Sequence, residues 1–139
     1  MKVLITGSSG QIGTNLALAL MERGDQVVGV DNRANTWNNL FETTLLDLTK
    51  CSQTALPGGP FDLVVHLAAN AKVFELVEYP QKAMDNVSML FNVLEFCRQN
   101  SLPIVFSSSR EVYGDIHRHV TEEAAADFVV AESPYSASK

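Results

Sequence analysis

Seven residues near the start of the chain, Gly7-Ser8-Ser9-Gly10-Gln11-Ile12-Gly13, restrict its possible folds more than any other segment. They join two stretches of different periodicity. Before them, residues 2–6 (KVLIT) make a β-branched apolar run, the pattern of a strand covered on both faces. After them, Ile12, Leu16, Ala17, Leu20 and Met21 recur at helical spacing, and Gly24 follows as a stop. A strand that enters a helix through three glycines is a tight βα turn. The first glycine permits the turn, the second lets backbone approach a ligand, and the third lets helix and strand pack closely.

The alternation continues along the chain. Residues 26–30 (QVVGV) read as a second strand, followed by an Asn-rich loop at 32–39 that contains Trp37. A third strand is expected at 42–46, a short helix at 48–55, and a break at Pro57-Gly58-Gly59-Pro60. Residues 61–67 (FDLVVHL) give a fourth strand and 103–107 (PIVFS) a fifth. Between them a long helix at 80–99 has Ala83, Val87, Leu90, Phe91, Leu94 and Phe96 as its expected apolar face. Strands alternating with helices imply a doubly wound parallel α/β sheet, of order 3-2-1-4-5, with a ligand crevice at the carboxyl ends of its strands. The length of 139 residues suits one domain, residues 1–139. Pro134 opens a further helix, and the sequence ends one turn later. The expectation is a fragment, truncated after the fifth strand and the start of the next helix, with its substrate domain absent.

Composition narrows the functional class. A formal charge of −6 supplies no basic face, which argues against nucleic acid as a partner. Apolar runs are strand-sized, so no membrane span is expected, and no signal pattern precedes the first strand. Cys51 and Cys97 lie far apart without metal-ligand spacing and read as reduced thiols of a cytoplasmic protein. His117 and His119 flank Arg118 in a loop, and no metal site is expected from them.

The glycine turn offers the unpaired N–H groups and positive dipole end of a helix to phosphates, as a dinucleotide requires. Asp31, at the end of the second strand, can accept hydrogen bonds from both ribose hydroxyls and would repel a 2′-phosphate, so NAD is favoured over NADP. Arg33, two residues on, would soften that preference if it faced the ribose. Near the end of the chain, Tyr135 and Lys139 stand four apart and are expected on one helix face. An ammonium close to a phenol favours phenolate, a base fit to take a hydroxyl proton while hydride leaves for nicotinamide. Spacing alone also suits an exposed helix face.

The Gly-x-x-Gly-x-x-Gly spacing resembles that of the extended short-chain dehydrogenase/reductase family, and later landmarks agree in order. Asp47-Leu48 looks like the family's pair beside the adenine. His66-Leu67-Ala68-Ala69 resembles the segment that lies against the cofactor, and Asn86 an asparagine of the long helix that supports the active site. Ser107-Ser108-Ser109 with Val112-Tyr113-Gly114 resembles the motif of the catalytic serine, here Ser109, and Tyr135 with Lys139 the catalytic pair. The resemblance implies a Rossmann-type fold and NAD held by Gly7, Ser9, Gly10, Gln11, Ile12, Gly13, Asp31, Asn32, Asp47, Leu48, Leu67, Ala68, Ala69, Asn86, Ser107, Tyr135 and Lys139. It implies a nucleotide-sugar substrate, 4-epimerised by transient oxidation and re-reduction, and a homodimer or self-association through the long helix. Glu111 leaves open a dehydratase or decarboxylase that uses it as a second base. Arg110, however, stands where the dehydratases with an Asp-Glu pair carry aspartate. Ala71 occupies the place of the lysine that reaches the cofactor phosphates in galactose-type epimerases, and Lys72 comes one residue late. A non-catalytic NAD-binding module is the reading from another class.

Overall fold

The computed structural model describes residues 1–50, 55–114 and 131–139. Five strands, β1 (Lys2–Thr6), β2 (Gln26–Asp31), β3 (Thr43–Leu45), β4 (Leu63–His66) and β5 (Ile104–Phe106), form one sheet in the order β3-β2-β1-β4-β5. Every pairing is parallel, with Val3 opposite Val27 on one side and Leu63 on the other. The helices are α1 (Gln11–Glu22), α2 (Val73–Glu78), α3 (Gln81–Asn100) and α4 (Pro134–Ala137), with a 3-10 turn at Arg110–Tyr113. This is the doubly wound order expected from the sequence.

Within residues 1–139, read above as one domain, the described residues group into two compact units. The first comprises Met1–Ala69 with Ser88–Ser107, the second Asn70–Val87 with Ser108–Lys139. In the first unit, side chains alternate along each strand, so both sheet faces are filled from a continuous apolar run. Val3, Ile5 and Val65 pack with Ala17, Leu16 and Leu20 of α1. Leu4, Val30 and Val64 point the other way, into a cluster with Val93, Phe96 and Cys97 of α3, Leu48, Leu56 and Phe61. Each fully buried Val, Leu or Ile contributes roughly 1.5–3 kcal/mol by leaving water, so these central strands carry most of the unit's stability. Cys97 is a core thiol, and burial raises its pKa. Cys51, His117, Arg118 and His119 lie outside the described residues. Among the described residues no helix is long and apolar enough to cross a membrane.

Two sequence expectations need correction, and one helix was not expected at all. Of the six positions assigned to its apolar face, the long helix buries only Ala83 and Phe96. Its buried positions are Ala83, Asn86, Val93, Phe96 and Cys97, whereas Val87, Phe91 and Leu94 are exposed and Leu90 is intermediate. Apolar residues surround much of this helix, so spacing defined two overlapping stripes without saying which meets the sheet. Of the short helix expected at 48–55, residues 51–54 lie outside the described residues, Leu48 to Lys50 form a turn, and Ala55 is a 3-10 position. There the Asp47 carboxylate accepts the Thr49 N–H and hydroxyl at 3.0 and 2.7 Å, which competes with helix formation. Helix α2 was missed, because its six residues are too few to show a period.

Candidate active site

The glycine turn of the first unit is built by backbone close enough to exclude side chains. Gly7 has φ +74°, and a Cβ there would lie 2.7 Å from the Ala68 nitrogen at the end of β4. A Cβ at Gly13 would overlap the Gly7 carbonyl oxygen, so α1 could not sit this close to β1. Gly10 differs in degree: a Cβ there would meet the Gly7 oxygen at 3.3 Å, a tight contact rather than an overlap. Gly10 is also the N-cap of α1 and gives no side-chain cap, while Gln11 and Ile12 in the first turn are exposed. A helix start uncapped by side chain and bare of Cβ is a cradle that fits a pyrophosphate.

Asp31 closes the adjoining side. It is 8% exposed, and its Oδ2 accepts the Ser9 N–H at 2.9 Å while Oδ1 accepts the Arg33 N–H at 3.1 Å. Both oxygens are thereby aimed, yet each keeps lone-pair capacity for a ribose hydroxyl. Asn32 and the Arg33 side chain are exposed, and the Arg33 carbonyl accepts the Ser9 hydroxyl at 2.8 Å. Asp47 spends its carboxylate on Thr49 and an ion pair with Lys50 at 3.4 Å, which hold its pKa below the usual aspartate value. Leu48 puts its side chain into the core and gives its carbonyl to Asn92 at 2.8 Å. At the end of β4, the Thr6 hydroxyl meets His66 Nδ1 at 2.6 Å and accepts the Ala68 N–H at 3.4 Å. This fixes the Leu67-Ala68-Ala69 segment beside the turn. The Ser107 N–H donates to the His66 carbonyl at 3.1 Å and carries the same ladder to β5.

The second unit holds Ser109, Glu111, Tyr135 and Lys139, the side chains expected from the sequence to be catalytic. Ser109 caps the 3-10 turn, its Oγ accepting the Glu111 N–H at 3.2 Å. That bond uses the oxygen as acceptor and leaves the hydroxyl hydrogen to be donated. Ser108 donates its hydroxyl to the Lys139 carbonyl at 3.0 Å, tying the serine segment to the chain just beyond α4. A Ser133/Ser136 capping box starts α4. Glu111 Oε2 lies 3.5 Å from the Ser133 hydroxyl, a long contact, and among the described residues no ion pair joins it to Arg110. Tyr135 lies inside α4, but Lys139 lies one residue past the C-cap Ser138. The expected shared helix face is therefore replaced by a tightened turn, in which the Ser138 and Lys139 N–H groups reach back three residues at 3.0 and 3.2 Å. Lys139 is half-buried, and burial pushes its pKa below the ordinary lysine value. Lys72 is committed elsewhere: it and Lys82 both pair with Glu75 at 2.7 Å, which brings that carboxyl down to about 2.

A model of the NAD dependent epimerase/dehydratase family matches residues 3–139. The chain belongs to that family. It is 36% identical over 134 residues to UDP-glucuronate 4-epimerase 1 of Arabidopsis thaliana, a match covering 81% of this chain and 30% of that protein. UDP-glucose 4-epimerase of Thermus thermophilus, solved in complex with NAD, superposes with a TM-score of 0.86 at 31% identity, covering 100% of this chain and 47% of that one. An NAD-dependent NDP-hexosamine 5,6-dehydratase of tunicamycin biosynthesis gives a TM-score of 0.84 at 30% identity, over 99% and 46%. The chain thus spans about a third of the first relative's length and less than half of each solved neighbour's.

Within this family member, several site-building residues escaped the sequence reading. Gly29 is one: a Cβ there would press on the Ser8 and Thr43 hydroxyls, at 2.5 and 2.9 Å from their oxygens. A lone glycine inside a strand run was the available signal. Asn35 is another. Its Nδ2 donates to the Ser8 carbonyl and Thr14 hydroxyl at 3.3 and 3.0 Å, and its Oδ1 accepts the Trp37 N–H at 2.9 Å. The Asn-rich loop was visible, but which asparagine turns inward was not.

Asp31→Ser removes the aimed carboxylate. Hydrogen bonds to a charged group are worth about 1.5–3 kcal/mol each. NAD binding should therefore weaken by roughly ten- to a hundredfold, while NADP, ordinarily the weaker ligand, loses less or gains. Calorimetric titration of both dinucleotides against wild type and variant checks this, and tighter NADP binding by the wild type contradicts it.

Proposed function

We propose that this chain is the NAD-binding part of a nucleotide-sugar 4-epimerase. The observation that carries the reading is the arrangement of the second unit, where Ser108 ties the Ser109 segment to Lys139 and the Ser133 capping box presents Tyr135. The named activities of the relatives point the same way. Gly7, Ser9, Gly10, Gln11, Ile12 and Gly13 would hold the pyrophosphate, and Asp31 with Asn32 the adenosine ribose. Asp47, Leu48 and the 67–69 backbone would line the adenine side and crevice floor, with Asn86 and Ser107 supporting the nicotinamide end. When bound, NAD supplies reversible hydride acceptance.

The protein's residues handle the proton and the geometry. Tyr135 takes the proton of the sugar's 4-hydroxyl and returns it once the ring has presented its other face. Ser109, with its hydroxyl hydrogen free of the cap, donates to the same sugar oxygen. Lys139 supplies positive charge beside the tyrosine and a donor to the nicotinamide ribose. Residues 1–139 span less than half the length of each solved neighbour, so this part alone should bind dinucleotide without turnover. Orientation of the reacting carbon depends on the whole binding surface.

A second reading has its own support. Glu111 sits two residues after Ser109 on the same turn, and a 5,6-dehydratase is among the structural neighbours. An assay separates the two in a protein that joins these residues to a substrate-binding lobe. Epimerisation of UDP-sugars should fall about 100-fold or more in Tyr135→Phe and only a few-fold in Glu111→Gln. A loss in Glu111→Gln as deep as in Tyr135→Phe, with dehydrated sugar as the wild-type product, would establish the dehydratase reading instead.

We also propose a homodimer through α3. Met84, Val87, Phe91 and Leu94 follow one another at spacings of three and four residues, and each is more than 40% exposed. A solvent-facing stripe of that kind on a single helix fits a second copy of the same helix. Sedimentation should give a dimer that Phe91→Glu dissociates. A strict monomer at high wild-type concentration contradicts the pairing.

A further inference from the structure

Asn86 and Ser138 form a chain of buried polar groups that ends on the Tyr135 backbone, and the proposed chemistry gives Ser138 no part. Asn86, 3% exposed, uses both ends of its side chain. Its Oδ1 accepts the Asn70 N–H at 2.7 Å, and its Nδ2 donates to the Asn70 carbonyl at 3.1 Å and to Ser138 Oγ at 3.0 Å. Ser138 is 6% exposed, and its hydroxyl donates in turn to the Tyr135 carbonyl at 2.8 Å. That carbonyl also receives the Ser138 N–H at 3.0 Å.

The hydrogen-bond directions are fixed by chemistry. An amide nitrogen can only donate, so Ser138 Oγ must accept from Asn86, and its single hydrogen is left for Tyr135. A serine hydroxyl otherwise rotates; this one is held at both ends. The carbonyls of a helix's last turn have no helical partner and can tilt towards water. Here the carbonyl of the proposed base is gripped twice, four residues before Lys139.

We propose that Ser138 is a positioning residue for the Tyr135–Lys139 pair: its hydroxyl, aimed by Asn86, locks the Tyr135 backbone and thereby sets the direction in which Lys139 leaves α4. This rests on reading Tyr135 and Lys139 as the catalytic pair. Ser138 touches neither substrate nor cofactor in this role. Removing its oxygen leaves a buried Asn86 N–H without a partner and the Tyr135 carbonyl with one bond, so the turn relaxes towards solvent and carries Lys139 with it.

The consequence is readable at the Lys139 ammonium, whose burial lowers its pKa. Carbon-13 labelling of lysine side chains, with Lys139→Arg to assign the signal, follows its titration in the 139-residue chain. The wild-type midpoint should lie below the ordinary lysine value. Ser138→Ala, with its amide spectrum otherwise preserved, should move it up by about half a pH unit towards that value. Ser138→Thr, which keeps the hydroxyl, should restore the wild-type midpoint. Should the alanine variant lose the second unit's fold, Ser138→Cys, a weaker donor, should give an intermediate midpoint. An unchanged midpoint in the folded alanine or cysteine variant, or no rescue by threonine, overturns the proposal. Neither NAD affinity nor turnover enters this readout, so its failure leaves the catalytic reading standing.

Discussion

Everything in the first unit is arranged around one close approach, that of the start of α1 to the carboxyl end of β1. The Gly7 N–H donates to the Val30 carbonyl at 2.8 Å, Ser8 reaches the same oxygen at 3.3 Å, and Gly13 sits on the Gly7 carbonyl with no room for a Cβ. Because three backbone segments meet there, the sheet order, the aim of Asp31 and the bare helix start follow from the same contact. A single methyl at position 13 would force α1 away from the sheet and spoil all three.

The two units use different means. In the first, the groups offered to a ligand are mostly backbone N–H, which needs no net charge and agrees with a chain of formal charge −6. In the second, side chains hold one another in place: Ser109 is aimed by the Glu111 amide, Ser138 by Asn86, Ser133 by Ser136. Backbone sites tolerate sequence change outside the glycines, whereas side-chain networks fail at a single substitution.

Those differences decide what could be read in advance. The order of the five strands was legible because β1 and β4 are apolar runs closed by glycine or small residues, and because alternation with helices leaves few topologies. The glycine turn and Asp31 were legible because backbone chemistry dictates residue type. The inward face of α3 was not: its buried positions include a polar residue, Asn86, that satisfies its hydrogen bonds inside, while Phe91 and Val87 stay outside. Hydrophobic spacing cannot anticipate a buried asparagine whose partners come from residues 70 and 138. Ser138 was passed over for the same reason, as one serine among three in the final segment.

The central claim is that the glycine turn, Asp31 and the end of β4 together grip the adenosine diphosphate half of NAD. Two-dimensional amide spectra of residues 1–139 titrated with NAD test it directly. Saturable shifts should concentrate on the amides of residues 7–13, 31–33 and 67–69, while those of α2 hardly move. A titration that saturates with its largest shifts elsewhere, or no saturable shift at all, would contradict it.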